Sequence, residues 1–484
     1  MIRTALLTIA LLLTASSAAA TPPKVEAKVT KDGLASLDVQ KSDTLLNDVA
    51  GKSLLYTTYF YTAGEAIVHG YEAKTDVRIV SLKENRTVWR GVVGQGETKN
   101  IPTGQGVFAF LADKKASILV GTPTSCTAVG YYVRDQDGGL VSKRFLTQLP
   151  SSGSGADNKV IVWAWKDTKV KITNITADKA TLSNLTLKAG NHYTLDATAL
   201  ASLNNNVLDI TASGPDISVQ VYYDQGFHAP AADGRLAGKL FRTYVGTITQ
   251  GYNDLNLINY GRATKATVRD LETKEVLWQG TIEAKGIHSI RLSGKYVQVE
   301  SDDEISTLVA PYNFQGYAEH HFAGGQEGMG IETSFITTTS EQLWIFSYFD
   351  NNAVKVTGMD DKPLWEGNLN AGHAQGYFPG AGTYRVKSNA GISVMGGSAS
   401  CGAEYSPAGG LFRIDEELLK VATMIVEARK DVATKQGKTL TADELNAPLS
   451  SAELEQASDY VKENTGSTLA PAEVQSRMKS MKVH

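Results

Sequence analysis

The chain has 484 residues, of which 42% are hydrophobic, and carries 51 acidic against 47 basic residues, a formal net charge of −4. This slightly acidic balance argues against nucleic acid or an anionic membrane surface as a partner. Two cysteines are too few for a disulfide scaffold, and a chain of this length forms several domains rather than one core.

The first segment, residues 1–20, has the features of a secretory signal peptide. Arg3 provides a basic start, residues 5–13 form an apolar run, and residues 18–20 form a small-residue cleavage site. We expect a mature protein that is secreted: extracellular, at the cell surface or periplasmic. No later stretch has the roughly 18 apolar residues of a transmembrane helix, so we expect none. Residues 21–51 form an N-terminal leader segment.

A tandem repeat of about 90 residues occupies the middle of the chain. An apolar residue, Trp, any residue and Gly occur in that order at Trp89, Trp278 and Trp365, which are 189 and 87 residues apart. Half of the longer interval predicts a further copy, in which Ser183 takes the Trp position. We therefore predict four β repeats, over residues 52–150, 151–245, 246–340 and 341–412.

Each repeat contains about six or seven short strands, in which apolar and polar residues often alternate, as in residues 168–175. A unit with that many strands can bury its own core between two sheets. The predicted fold class is therefore mainly β, with four tandem β-sandwich-like repeats. A four-stranded propeller blade is shorter, at about 40–50 residues, so a simple propeller fits less well.

The order of strands and turns resembles the N-terminal repeats of IgGFc-binding proteins, which are large extracellular β proteins. The matching positions are Thr168, Val170, Ile172, Ile217 and Ser218, with the equivalents Ile305 and Ser306. The resemblance spans roughly residues 52–412. It implies adhesion or matrix binding without catalysis.

The C-terminal region, residues 413–484, has a helical pattern. Apolar residues recur with the helical period from Ile414 to Val432, and Gly437 is suited to end that helix. Glu444 and Glu453 each follow a Thr or Ser by three residues, which is the spacing of a capping box. We expect three or four helices that pack on the last repeat or extend into solvent. We also expect that the β repeats do not need them for folding.

The tryptophans support two hypotheses. Trp89, Trp278 and Trp365 recur with the repeat, so we interpret them as the core signature of each unit, with a sugar-stacking platform as the alternative. Trp163 and Trp165 share a face of one strand. With Trp344 they are the candidates for an exposed face that binds a protein or glycan ligand.

The sequence contains no nucleophile elbow, HExxH, CxxC pair or phosphate loop. Glu319, His320 and His321 lie in a Gly-rich loop, and His228 lies in the comparable loop of the second repeat. A metal site is one interpretation, but exposed histidines on turns fit better. Residues 134–139, RDQDGG, alternate acidic residues like a calcium loop but lack its later Glu, so we expect a polar turn. We predict no metal, no cofactor and no enzyme.

The two cysteines predict the arrangement of the repeats. Cys126 and Cys401 lie 37 and 36 residues after Trp89 and Trp365, at the same place in the first and last repeats. In a secreted protein this favours a disulfide. Because a disulfide requires Cα atoms within about 7 Å, we predict that the repeats curl into a closed or nearly closed ring. Two buried reduced cysteines, and a bridge between copies of the protein, are the alternatives.

These observations favour a secreted, non-enzymatic structural or adhesive component of the cell surface or extracellular matrix, and self-association is compatible with them. A carbohydrate-binding protein that uses exposed aromatic residues is the second hypothesis. The third is a hydrolase with an unrecognised site, which would gather His228, Glu319 and His320 in one cleft.

Overall fold

The computed structural model is mostly β-strand, with two long helices near the end of the chain. The predicted signal peptide and both cysteines lie outside the residues that it describes. The described residues are 27–29, 35–37, 56–62, 64–114, 116–122, 130–136, 138–149, 159–176, 180–200, 203, 206–214, 217–222, 226–232, 235–246, 253–310, 320–323, 330–398, 404–407, 411–441, 444, 447–465, 471 and 474–475.

The strands are grouped below by the sheets they form. An N-terminal hairpin contains β1 (Ala27–Val29) and β2 (Ala35–Leu37). The first module contains β3 (Tyr56–Thr62), β4 (Glu65–Gly70), β5 (Thr75–Ser81), β6 (Arg86–Val93), β7 (Thr98–Pro102), β8 (Gly106–Ala112) and β9 (Ala116–Thr122). The second contains β10 (Tyr131–Tyr132), β11 (Arg144–Gln148), β12 (Lys159–Ala164), β13 (Thr168–Asn174), β14 (Ala180–Leu187), β15 (His192–Leu195), the helical turn α1 (Ala197–Leu200), β16 (Val207–Ala212) and β17 (Ile217–Tyr222).

The remaining elements follow in the same way. The third module contains β18 (Phe227–His228), β19 (Gly238–Val245), β20 (Asn253–Asn259), β21 (Thr264–Asp270), β22 (Val276–Ile282), β23 (Gly286–Leu292) and β24 (Lys295–Ala310). The fourth contains β25 (His320–Phe322), β26 (Glu332–Thr339), β27 (Gln342–Ser347), β28 (Asn352–Gly358), β29 (Pro363–Leu369), β30 (Ala374–Tyr377) and β31 (Gly382–Gly397). The chain then continues with β32 (Glu404–Pro407), β33 (Leu411–Phe412), α2 (Arg413–Lys435) and α3 (Ser451–Thr465).

Each module is a sandwich of two sheets. In the second module, one sheet has the order β10-β17-β12-β15 and the other has the order β11-β16-β13-β14. Counted along the module, these are strands one, eight, three and six, and strands two, seven, four and five. This is the strand order of a jelly roll, and it confirms the predicted sandwich-like repeats. We call the first sheet of each module its front sheet and the second its back sheet.

The third and fourth modules have the same strand order. Their seventh and eighth strands are the two halves of one long strand, β24 and β31 respectively. The first half of each pairs with back-sheet strands and the second half pairs with front-sheet strands. The two sheets of these modules are therefore joined by a continuous strand.

The first module takes its first strand from the far end of the chain. Its front sheet has the order β32-β9-β4-β7, and Glu404 of β32 lies opposite Thr122 of β9. In its back sheet, β33 adds to the edge of β3, with Phe412 opposite Tyr56. The chain that leaves the fourth module thus completes the first one. This pairing closes the four modules into a ring, as predicted.

Around this ring, the back sheet of each module packs against the front sheet of the next. We call the interface between the first and second modules the first seam, and number the others in order. The fourth seam lies between the fourth and first modules. At the first seam, Tyr59 and Leu111 of a back sheet share one buried cluster with Ile161 and Trp163 of the next front sheet. Front-sheet residues likewise enter the preceding module's cluster at the second and third seams; they are Ile258, Leu308 and Ala310, then Trp344, Phe346 and Met395.

The sheets divide the chain at different points from the predicted repeats. Strand pairing assigns residues 131–222, 227–310 and 320–397 to the second, third and fourth modules. The predicted limits at 150, 245 and 340 each fall after the second strand of a module. A sequence repeat fixes the length of the unit but not the residue at which the unit starts. Here each of these modules starts two strands earlier in the chain than the predicted repeat.

The C-terminal helices have the expected ends. Ser450 donates two hydrogen bonds to the Glu453 carboxylate, one from its N–H at 2.8 Å and one from its hydroxyl at 2.9 Å. Glu444 accepts the same bonds from Thr441. Gly437, two residues after the end of α2, adopts a φ of 68°, in the left-handed region that favours glycine. The two capping boxes and the helix end are therefore confirmed.

The position of these helices differs from the prediction. Leu418 and Ile425 of α2, and Val461 of α3, share one buried cluster with Phe60 and Phe110 of the first module. The expectation that the tail packs on the last repeat is therefore wrong. The chain has already crossed to the first module through β32 and β33 before the helices begin.

Candidate functional site

The Trp-x-Gly segments lie on β6, β22 and β29, which are edge strands of their back sheets. Their tryptophans occupy the same register, opposite Ile79, Val268 and Val356 of the neighbouring strands. A Cβ atom on Gly367 would lie 2.6 Å from Cζ2 of Trp365, and one on Gly91 or Gly280 would lie 2.7 Å from the same atom of its Trp. Each indole therefore covers the glycine two residues further along an edge strand.

The second module carries a different pair at these two positions. Ser183 lies opposite Ile172, which is the place that Trp takes elsewhere, and its hydroxyl lies 2.7 Å from that of Tyr193. The glycine position is Leu185, which is buried. In this module the large side chain therefore stands at the glycine position and the small one at the Trp position. The further repeat copy lies where the spacing predicted it.

The three tryptophans close the open edges of their sandwiches rather than filling the centres. All three are half-buried, and each packs against the buried cluster of its own module. Trp278 also stacks on His288 with ring centroids 4.3 Å apart, whereas Trp365 lies 6.4 Å from Tyr377. Trp365 is therefore less covered by a neighbouring ring than Trp278 is.

The residues expected on an exposed binding face lie in the seams instead. Trp163 and Trp344 are 0% and 2% exposed. Trp163 stacks on Tyr59 at 5.9 Å across the first seam, and Trp344 stacks on Tyr244 at 5.1 Å across the third. Trp165 is half-buried and donates its Nε1–H to Ser218 at 3.0 Å. The prediction of an exposed face at these residues is wrong, because the outward side of each front sheet is covered by the preceding module.

The histidines also differ from the expectation of exposed turns. His228, His320 and His321 are buried, and burial lowers the pKa of His228 and His320 to about 3 and that of His321 to about 4. His228 packs on Tyr131 at the second seam, and His320 packs on Trp344 at the third. Glu319 lies outside the described residues. The histidines of the proposed hydrolase cleft thus lie in separate seams.

The described residues of the acidic segment, 134–136 and 138–139, form a turn. The carboxylate of Asp135 accepts a hydrogen bond from the Gly139 N–H at 2.6 Å, and the backbone of Asp135 closes the turn through Gly138 and Gly139. This agrees with the predicted polar turn, although Asp137 is outside the described residues. Among the residues that the structure describes, no group of three or more His, Cys, Asp or Glu side chains is arranged to hold a metal ion.

The most regular contacts were not predicted from the sequence. The residue that directly follows the third strand of each module is aromatic, and it contacts the same place on the second strand of the preceding module. The pairs are Trp165 with Tyr59, Tyr260 with Leu146, Tyr348 with Arg242 and Tyr71 with Ile336. We call these four pairs the seam locks. The signal was present as an aromatic residue shortly before the alternating fourth strand of every module.

The seam locks use hydrogen bonds as well as ring contacts. The Tyr260 hydroxyl donates to the carbonyl of Arg134 at 2.6 Å and accepts from the Leu146 N–H at 2.7 Å. The Tyr71 hydroxyl accepts from the Ile336 N–H at 3.1 Å. At the third seam, the Arg242 guanidinium lies 4.6 Å over the ring of Tyr348. Burial raises the pKa of the Tyr348 hydroxyl to about 12, so it stays protonated.

Cys126 and Cys401 lie outside the described residues, so their bridge stays a proposal. The described ladder between β9 and β32 ends with Thr122 opposite Glu404. Thr122 precedes Cys126 by four residues and Glu404 follows Cys401 by three.

The described residues include no helix that is long and apolar enough to cross a membrane. No family model matches the chain, and no curated protein matches it. The resemblance to the IgGFc-binding repeats therefore has no support from a family model.

Three solved structures show limited similarity to this chain. One is a tetra-tandem repeat from the extending region of a large adhesion protein; it is 11% identical, covers 71% of this chain and 93% of its own, and has a TM-score of 0.11. A triple jelly roll protein from the turret of an archaeal virus is 10% identical, with coverages of 71% and 91% and a TM-score of 0.14. A chain of the lipid-containing bacteriophage PM2 is 8% identical, with coverages of 55% and 98% and a TM-score of 0.11. At these TM-scores the similarities carry no argument about function.

Proposed function

We propose that this protein is a secreted, non-enzymatic structural component of a cell surface or extracellular matrix, with an adhesive role. The protein would act as a closed ring that holds its shape while partners bind to its surface. The secretory signal at residues 1–20 supports a location outside the cytoplasm. Protein or glycan ligands are its expected partners.

One observation supports a structural role above all. The first module is incomplete without β32, so the two ends of the β region are tied into one sheet. The same type of seam lock occurs at all four interfaces. Such a ring has no free terminal module from which unfolding can start, which suits a part that must resist force or proteases.

The proposal is tested by adhesion under flow. Purified residues 21–484 are coupled to beads and passed over immobilised matrix proteins and glycans, while the panel is also sampled for cleavage. We expect the beads to be retained on part of the panel and every component to remain intact. Absence of retention on every surface would refute the adhesive role, and time-dependent cleavage would point to the hydrolase hypothesis.

Carbohydrate binding is the second candidate, and the half-exposed Trp365 is the observation that favours it. This indole lies beside Tyr377, and the neighbouring Phe378 and Leu364 are 64% and 45% exposed. A sugar ring presents an apolar face of C–H groups that stacks on such aromatic side chains. Trp278 suits this role less well, because His288 already stacks on it.

A glycan array with three proteins tests this candidate. Trp365→Ala should abolish a glycan signal that depends on this edge. Phe349→Ala is the matched control, because Phe349 is an exposed aromatic residue of the same module that does not lie on β29 or β30. Equal signals from the wild type and Trp365→Ala would exclude this edge as the glycan site.

A further inference from the structure

The seams contain most of the histidines of this protein. The chain has 8 histidines, and His69, His228, His320 and His321 are all buried at or beside a seam. His192, which is partly exposed, packs on Trp163 of the first seam at 5.1 Å. Every seam thus includes at least one imidazole that packs against a neighbouring module or against a ring that does.

These imidazoles are poorly suited to carry a charge. Both ring nitrogens of His320, and Nε2 of His69, have no hydrogen-bond partner among the described residues. Burial lowers the pKa of His69 to about 3. Neighbouring positive charges lower their pKa further: Arg134 acts on His228, and His321 acts on both His69 and His320. Protonation would therefore place unpaired positive charge inside a seam.

The fourth seam differs from the others in having little apolar contact. The outward apolar residues of the first module's front sheet form a cluster of only Ile67 and Leu119 among the described residues. Large aromatic side chains fill the first and third seams instead. The fourth seam is also held by the Tyr71 lock and by Arg385, which donates to the Gly96 carbonyl at 3.0 Å.

Among the residues that the structure describes, no ion pair joins His69 or His321 to a carboxylate. His69 on β4 bonds Thr98 of β7 through Nδ1 at 3.0 Å, and His321 on β25 lies 3.4 Å from the Thr337 hydroxyl of β26. Glu97 pairs with Lys99, and Asp361 pairs with Arg385. Glu332 acts on Tyr71, which it helps to keep protonated. Glu97 and Asp361 are therefore engaged with other groups.

We propose that the fourth seam is an acid-sensitive clasp: protonation of His69 and His321 separates the fourth module from the first and releases β32 and β33. The sign follows from linkage. The two histidines bind protons more weakly in the closed ring than in an opened one, so closure is fully favoured above a pH of about 6.5 and is lost as the pH falls. The other seams keep their aromatic contacts, so the modules stay folded while the ring opens.

Hydrogen exchange of the full chain at a series of pH values between 7 and 4 tests the proposal. After correction for intrinsic exchange, we expect protection of β32, β33 and β9 to fall at a higher pH than protection of β13 and β16 in the second module. Small-angle scattering should show an increased radius of gyration at the same pH. Simultaneous loss of protection in all modules would overturn the proposal, because acid would then unfold the protein without opening a particular seam.

Variants identify the groups responsible. The double variant His69→Gln, His321→Gln cannot gain charge, so its opening should move to lower pH by about one unit or more. His373→Gln is the matched control, because His373 is exposed in the fourth module, and its opening should follow the wild type. Opening of the double variant at the wild-type pH would overturn the assignment. If the double variant does not fold, the exchange order in the wild-type chain still decides.

Discussion

The hydroxyl of Tyr260 shows how a single atom joins two modules. It pairs with one partly buried backbone carbonyl and one buried backbone N–H of the preceding module. A phenyl ring has nearly the same shape but can do neither. Removal of the hydroxyl therefore leaves two backbone groups without partners, each at a cost of about 1–3 kcal/mol where water cannot enter.

We predict that Tyr260→Phe lowers the free energy of unfolding by about 2–4 kcal/mol. Chemical denaturation of the variant and the wild type measures this difference. Tyr377→Phe is the matched control, because its hydroxyl makes one exposed bond of 3.3 Å, and we expect a change below about 0.5 kcal/mol. Equal stability of Tyr260→Phe and wild type would mean that water enters the second seam.

The Trp-x-Gly pair makes a second prediction for single residues. Gly367→Ala places a Cβ 2.6 Å from the Trp365 ring, which must then leave its place. We expect a loss of about 1–3 kcal/mol, which is typical of overpacking. Because Trp365 is only half-buried, Trp365→Ala should cost less than the 3–5 kcal/mol of a fully buried Trp.

The second module supplies the compensating change. Its Ser183 and Leu185 occupy the positions of Trp365 and Gly367. The double variant Trp365→Ser, Gly367→Leu should therefore be more stable than the sum of its single changes implies. Thermal unfolding of the two single variants and the double variant gives this coupling. Additive effects would show that the two positions do not share one packing site.

At the scale of elements, the helical tail belongs to the first module. Leu418 of α2 is fully buried in the cluster that contains Phe60 and Phe110. Removal of residues 413–484 would expose this surface. The expectation that the tail is dispensable, made from its change of composition, is therefore replaced by the opposite prediction.

We predict that Leu418→Ala destabilises the protein by about 2–5 kcal/mol, as a buried Leu-to-Ala change does. Met424→Ala lies on the same helix with 53% of the side chain exposed, and it should have little effect. Proteolysis of the folded protein, followed by mass spectrometry, should show the first module of Leu418→Ala cleaved first. A fully stable chain of residues 21–412 would contradict this account of the tail.

Only those elements that depend on local sequence patterns could be predicted from the sequence. Periodicity located the repeats, the Ser183 copy, α2 and both capping boxes, because each depends on residues close in the chain. Periodicity could not tell the two sides of a strand apart when both are apolar. Trp163 and Trp344 therefore looked exposed, although one side of their strands faces a core and the other faces a neighbouring module.

For the whole molecule, the positions of the two cysteines in the sequence predicted the closed ring that the strand pairing shows, although both cysteines lie outside the described residues. We propose that Cys126 and Cys401 are bridged. The loop that the bridge closes has about 275 residues, so in the chain-entropy model it stabilises the ring by roughly 5 kcal/mol. Peptide mapping without reduction should recover one intramolecular Cys126–Cys401 peptide. Intermolecular pairs would instead indicate a covalent polymer, and free thiols would refute the bridge.

The repeat pattern alone does not predict whether the modules close into a ring. Four similar units can form an open row or a closed ring with the same local contacts. The choice is made by β32 and β33, which are short and follow the last module. Glu404 of β32 pairs with Thr122, 282 residues earlier, and Phe412 of β33 pairs with Tyr56, 356 residues earlier. Such distant pairings leave little local signal.

The closing pair of strands offers the most direct test of the ring. In a background without the native cysteines, Cys126→Ser and Cys401→Ser, the changes Thr122→Cys and Glu404→Cys place two thiols on opposite residues of β9 and β32. We predict rapid intramolecular disulfide formation in dilute protein, with no bridge in a control that pairs Thr122→Cys with Lys169→Cys in the second module. A failure of the first pair to bridge, or bridges only between molecules, would contradict the closed ring.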